Sequence, residues 1–246
     1  MIKLNYLAFA KVLAITSLKE AGEFDLGALE VTFSHVDEKD WADNWKQYFH
    51  PLPIGNRFIV KPTWEEYTGE DRIVLEIDPA SSFGTGQHET TALCLEELED
   101  MELAGKSLLD MGCGSGILGI GAALLGAEDV VCVDIEQIAV ETTRENAGIN
   151  GLQEGVLKAY HGNILTDEAL CGTVMEADRY DYIAANIVAD AIIMLSPAIP
   201  NLLAEDGVYI VSGIIDTREQ DVLAALDKCG FTVVERREHG GWLCLV

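Results

Sequence analysis

Ser107-Leu108-Leu109-Asp110-Met111-Gly112-Cys113-Gly114-Ser115-Gly116, continued by Ile117-Leu118 and closed by Val131-Cys132-Val133-Asp134, is the run that decides the fold. An apolar strand enters a Gly-x-Gly-x-Gly turn, a helix follows, and a second apolar strand ends on an acid. Such a unit sets backbone N–H groups and a helix N-terminus beside a ligand, with a carboxylate ready for ribose hydroxyls. Gly112 and Gly114 allow a tight turn and close approach, and Gly116 lets the helix pack on the strand. Dinucleotide-binding turns carry Gly or Ala three residues after the second glycine; here that residue is Ile117.

From Lys106 onward short apolar runs alternate with helical patterns. The expected strands are Ser107–Met111, Val130–Asp134, Val156–Tyr160, Tyr182–Ala185 and Val208–Ser212, with helices near Gly116–Leu125, Glu136–Asn146, Ala189–Leu203 and Thr217–Cys229. Strands spaced by helices imply parallel βαβ units. Thr232–Glu238 and Trp242–Val246, separated by Gly240-Gly241, read as an antiparallel hairpin at a sheet edge. The expected fold class is therefore α/β: a Rossmann-like seven-stranded sheet of the class I methyltransferase type, ending in a hairpin. Residues 166–178 read as an extra loop before the fourth strand. Trp41, Trp45, Tyr48 and Phe49 recur at helical spacing and are expected to pack one helix face. Pro51-Leu52-Pro53-Ile54-Gly55 reads as a junction, so residues 1–60 are expected to form a shortened N-terminal segment and 61–246 the catalytic domain.

Bulk properties bound the function. At 246 residues with 49% hydrophobic side chains the chain supports a core of ordinary domain size. The apolar run from Ile117 to Ala127 is too short to span a bilayer and carries three glycines, and no cleavage site follows Leu4–Ile15. No membrane association is expected. Six scattered cysteines without Cys-x-x-Cys spacing suit a reduced, cytoplasmic protein and no metal site. A net charge of −26 repels phosphate backbones, so direct nucleic-acid binding is not expected, whereas a basic protein would be attracted.

A glycine turn without the pyrophosphate signature suits the nucleoside of S-adenosylmethionine (SAM), and a methyl transfer is the expected chemistry. Gly112 and Gly114 would hold the methionine end, with Asp110 placed to meet its ammonium. Asp134 would accept both ribose hydroxyls, or cap the helix that begins at Glu136. In His161-Gly162-Asn163-Ile164, Asn163 offers an amide to the adenine edge, or simply makes a turn. The fourth strand ends Ala185-Asn186-Ile187-Val188, and Asn186 is the catalytic candidate, presenting a carbonyl oxygen to the attacking nitrogen. Enzymes that methylate flat amides carry Pro-Pro and an aromatic after this position; Ile187-Val188 points instead to an aliphatic amine. Upstream, the run from Asp78 to Thr91 contains Phe83-Gly84-Thr85-Gly86-Gln87-His88, read as a loop over the ligand. Thr90 and Thr91 would cap the following helix or bind the ligand, and His88 is a candidate proton relay.

Taken together, the Phe-Gly-Thr-Gly-x-His-x-Thr-Thr loop, the Asp-x-Gly-Cys-Gly-Ser-Gly-Ile-Leu turn and the Ala-Asn-Ile segment resemble the PrmA family. Its members are bacterial methyltransferases that modify ribosomal protein eleven of the large subunit. The resemblance runs from about Val36 to Val246 and includes Asp40-Trp41, Trp45 and His50-Pro51-Leu52-Pro53. It implies SAM as cofactor, a basic ribosomal protein as substrate, and SAM contacts at Thr91, Gly112, Asp134 and Asn186. Family members carry a longer N-terminal substrate domain than the roughly forty residues that precede the aromatic segment here. Another protein or a small amine is the alternative substrate. A dinucleotide-dependent oxidoreductase is disfavoured by Ile117, and a non-catalytic binding module by the retained Thr91, Asp134 and Asn186.

Overall fold

The computed structural model describes residues 49–69, 71–78, 88–176 and 179–246. The expected aromatic helix face at Trp41, Trp45 and Tyr48 and the loop from Pro79 to Gln87 lie outside the described residues. In chain order the elements are β1 (Leu52–Ile54), β2 (Phe58–Lys61), β3 (Ile73–Glu76), α1 (Glu89–Glu99), β4 (Ser107–Met111), α2 (Ile117–Leu124), β5 (Asp129–Asp134), α3 (Gln137–Ile149), β6 (Leu157–His161) and α4 (Glu168–Glu176). Then follow β7 (Tyr180–Asn186), α5 (Ala189–Leu195), α6 (Ile199–Leu202), β8 (Leu203–Ile215), a 3₁₀ turn (Asp216–Arg218), α7 (Glu219–Lys228), β9 (Arg236–His239) and β10 (Trp242–Leu245).

Seven strands form the main sheet in the order β6-β5-β4-β7-β8-β10-β9. The first five are parallel, and β10 runs antiparallel to both β8 and β9. Helices cover both faces, so these strands are apolar on both sides and read as continuous hydrophobic runs. Period-two alternation sorts them: Leu108, Val130, Cys132, Ala184 and Ile210 face one core with Leu95 and Ile120, while Leu109, Val131, Ile183 and Val211 face a second core with Ile192 and Val222.

A smaller sheet joins the first core. β1 pairs antiparallel with β2, and β2 pairs parallel with β3. Ile54, Phe58, Val60, Leu75 and Ile77 pack in the same cluster as Leu93, Leu95 and Leu98 of α1. Within the Pro51–Gly55 segment, Leu52–Ile54 forms a short strand, with Pro53 tolerated on the edge. The expected division at residue 60 falls inside β2, with Ile54, Phe58 and Val60 before it and Leu75 and Ile77 after it in one core.

Three expectations are corrected. Where an extra loop was expected over 166–178, Glu168–Glu176 is helical, started by Asp167, whose Oδ1 accepts the N–H groups of Ala169 and Leu170. The helix expected over Ala189–Leu203 breaks into α5 and α6 around Pro197, because proline cannot donate to the preceding turn. The strand expected from Thr232 starts only at Arg236; Val234 is 77% exposed and its N–H reaches Val246 outside any regular ladder.

Candidate functional site

Parallel strands deliver their C-terminal ends to one edge of the sheet, and in a doubly covered sheet that edge is where a ligand sits. Here β4, β5, β6 and β7 end in Met111, Asp134, His161 and Asn186, so the four loops that follow share that edge.

The first loop is the glycine turn. Gly112, Gly114 and Gly116 all have positive φ, at 79°, 55° and 81°, a backbone conformation that glycine adopts without steric cost. A Cβ on Gly112 would lie 2.4 Å from Ile187 Cγ2, so the turn is packed against the residue after Asn186. Asp134 binds the turn to the second strand. Its Oδ2 accepts the Gly114 N–H at 2.9 Å and its Oδ1 accepts the Glu136 N–H at 2.9 Å. It therefore shapes the glycine turn and the turn that leads to Glu136, the N-cap residue of α3, without capping that helix itself, and each oxygen keeps a second lone pair for a ligand.

Asp110 is placed differently from the expectation that it meets a ligand ammonium. It is only 1% exposed and turns onto α2, where Oδ2 accepts the Gly119 N–H at 3.0 Å; Oδ1 is buried and accepts nothing among the described residues. Burial, opposed by the Gly119 hydrogen bond and aided by nearby Asp134, lifts its carboxyl to about 7. The alternation along β4 decides this, since Asp110 shares its face with Leu108.

Asn163 spends its side-chain oxygen on a local turn, accepting the Leu165 N–H at 2.9 Å. Asn186 ends β7, and its Nδ2 donates to Thr91 Oγ1 at 3.2 Å. Thr91, 2% exposed, belongs to the first turn of α1. Neither threonine caps that helix. His88 does, through Nδ1, which accepts the Thr90 N–H at 3.3 Å and faces the Thr90 hydroxyl at 2.9 Å. The His88 ring stands edge-on to Trp242, centroids 4.8 Å apart. Asp190, the next carboxylate after Asn186, is held below its usual range by Arg218, which donates to it at 2.6 Å. It is thus tied up as an ion pair and is no free base beside Asn186.

Sequence reading missed two residues that shape this edge. Gly213 of β8 has φ 85°, and a Cβ there would lie 2.3 Å from the Ile187 carbonyl oxygen. Ile187 also donates its N–H to Ser212 at 3.1 Å, so its backbone rests on β8 while its side chain rests on Gly112. A glycine inside the apolar β8 run was the available signal. Ile135, directly after Asp134, is 69% exposed and offers an apolar surface beside the acid. A cavity of about 430 Å³ lies elsewhere, between α4 and α6, lined by Val174, Met175 and Leu202 among others and by no residue of the glycine turn.

Strand order, glycine turn, acid and terminal hairpin together define a class I SAM-dependent methyltransferase. SAM fits the donor set present: backbone amides in a glycine cradle, a carboxylate with spare lone pairs, and the Asn186 and Thr91 side chains. A family model for the ribosomal protein L11 methyltransferase (PrmA) matches residues 3–246, and the chain belongs to that family. The ribosomal protein L11 methyltransferase of Thermoanaerobacter pseudethanolicus is 42% identical over 233 residues, covering 94% of this chain and 72% of that one. A crystal structure of a ribosomal protein L11 methylase from Lactobacillus delbrueckii subsp. bulgaricus superposes with a TM-score of 0.71 at 30% identity, over 80% of this chain and 97% of that one. A putative methyltransferase complexed with SAH shares the fold at a TM-score of 0.54 and 14% identity, over 65% of this chain and 50% of that one. Among the described residues no helix is long and apolar enough to cross a membrane.

Proposed function

We propose that this chain methylates amino groups of ribosomal protein L11, on lysine side chains, the N-terminal amine or both, and does so in the cytoplasm. The observation that carries the reading is Asn186 at the end of β7, beside the glycine turn and followed by Ile187-Val188. In the proposed site Gly112 and Gly114 hold the methionine end, Asp134 accepts the ribose hydroxyls, and Ile135 and Asn163 lie along the adenine. Asn163 then acts through its amide N–H groups, because its oxygen already serves the turn. Thr91 and Asn186 sit at the methyl end. Asp110 acts from beneath the turn, through α2.

SAM supplies a methyl group on a positively charged sulfur, to be taken by a neutral nitrogen. A lysine amine has a pKa near ~10.4 and must first lose a proton, which water can accept in solution. Asn186 Oδ1, with its Nδ2 committed to Thr91, faces the incoming amine as an acceptor and stabilises the positive charge that develops on nitrogen. Orientation supplies much of the remaining acceleration. The surplus of 42 acidic over 16 basic side chains favours encounter with a basic protein. Support for L11 itself comes from the names of the relatives. Incubating the purified protein with methyl-labelled SAM and ribosomal protein extract tests the proposal: label should appear in one small basic protein, and mass spectrometry should place it on amines. Label only in small molecules would favour the alternative.

A further inference from the structure

Asn146 of α3 and Asn150, the C-cap residue of that helix, treat β3 as a partner strand. Asn150 Oδ1 accepts the Glu76 N–H at 2.9 Å and its Nδ2 donates to the Glu76 carbonyl at 2.7 Å. Asn146 repeats this on Asp78, at 3.0 and 3.2 Å. The match is geometric: four helical residues rise about 6 Å, and two strand residues advance about 6.6 Å. Two amides thereby satisfy the edge of β3 that β2 leaves open.

The two asparagines differ in their last N–H. That of Asn150 goes to the Asn146 carbonyl of its own helix, at 2.8 Å. That of Asn146 crosses to the Ser115 carbonyl, inside the glycine turn, at 2.9 Å. The same peptide unit is held at its other end, where the Gly116 N–H donates to Cys113 O at 2.7 Å. Three residues earlier on the same face of α3, the Thr143 hydroxyl lies 3.2 Å from the Gly114 carbonyl. Thr143 and Asn146 are both fully buried. Two successive carbonyls of a turn built on three positive-φ glycines are therefore gripped from behind by one helix.

We infer that Thr143 and Asn146 are positioning residues for the cofactor, fixing the Gly114–Gly116 peptides through their carbonyls, whereas Asn150 serves only the β3 edge. This rests on the glycine turn binding SAM. The physical reason is preorganisation: a turn free to rotate its peptides must be ordered on binding, and that cost appears as lost affinity.

The test measures SAH binding by calorimetry together with methyl-transfer kinetics. Wild-type protein that fails to bind SAH would remove the cofactor reading and this inference with it. With wild-type binding established, Thr143→Val, which keeps shape and loses the hydroxyl, is expected to weaken SAH about tenfold, as is Asn146→Asp, which loses both donors. Asn150→Asp is expected to melt at a lower temperature yet bind SAH within about twofold of wild type. At saturating SAM, kcat and the KM for the protein substrate should stay near wild type in Thr143→Val. Wild-type affinity in Thr143→Val, or an equal loss in Asn150→Asp, would overturn the inference. Should Asn146→Asp not fold, Thr143→Val and Asn150→Asp decide it between them.

Discussion

Asn186 and Thr91, 95 residues apart, meet through an Nδ2-to-Oγ1 hydrogen bond of 3.2 Å that ties the end of β7 to the first turn of α1. The amide of Asn186 is thus oriented before any substrate arrives. Asn186→Ala should lower kcat about a hundredfold, the size of effect seen when one preorganised polar group facing developing charge is removed. Thr91→Val should lose about tenfold and Thr91→Ser should recover it, because serine restores the hydroxyl. Single-turnover methyl transfer from labelled SAM measures both.

Asp134 carries two amide hydrogen bonds of its own in addition to its proposed role toward ribose. Asp134→Ala should weaken SAH binding about tenfold to a hundredfold, matching the roughly 1.5–3 kcal/mol of hydrogen bonds to a charged group. Isothermal titration gives the answer directly, and an unchanged dissociation constant would remove Asp134 from the site.

Asp110 makes a pH prediction. Its carboxyl is raised from 3.8 to about 7 by burial, so the folded state holds the proton more tightly than the unfolded chain does. Stability from this residue is complete below about pH 4 and is lost as the pH rises through about 7. Asp110→Asn does not titrate. The melting temperature of Asp110→Asn relative to wild type should therefore climb between about pH 4 and pH 7, by an amount corresponding to about 4 kcal/mol at most. Parallel curves in the two proteins would contradict the placement of this charge.

Gly213→Ala should hurt both stability and turnover. The new Cβ would meet the main-chain oxygen of Ile187, which cannot swing aside, and φ is already 85°. A fall in Tm of about 5 °C or more is expected. Because Ile187 follows Asn186, kcat should drop beyond what the lost stability explains. Kinetics measured well below the melting transition separate the two effects.

How much of this was legible in the sequence depends on the range of the contacts. β4, the glycine turn and β5 could be read because helices cover both faces, leaving uninterrupted apolar runs with glycine between them. The positions of Gly112, Asp134 and Asn186 were legible for the same reason, as Gly112 directly follows β4 and the other two end β5 and β7. The helix Glu168–Glu176 was missed because Gly172 weakens its pattern, although Asp167 was a visible cap. The burial of Asp110 against α2 was not legible because a motif fixes a residue's position along a strand and says less about which face it takes. The Gly213–Ile187 packing and the clamp on β3 join residues far apart in the chain, and local pattern holds no record of such distances.

β10 occupies an interior place in the main sheet although it is made after the other strands of that sheet. Leu243, Cys244 and Leu245 are almost wholly enclosed, with β8 on one side and β9 on the other. During synthesis, β8 must therefore present a bare hydrogen-bonding edge until Leu245 has cleared the ribosome tunnel. Until then that seam stays open, vulnerable to strand exchange and to chaperone capture, and it zips shut only once β10 pairs with β8.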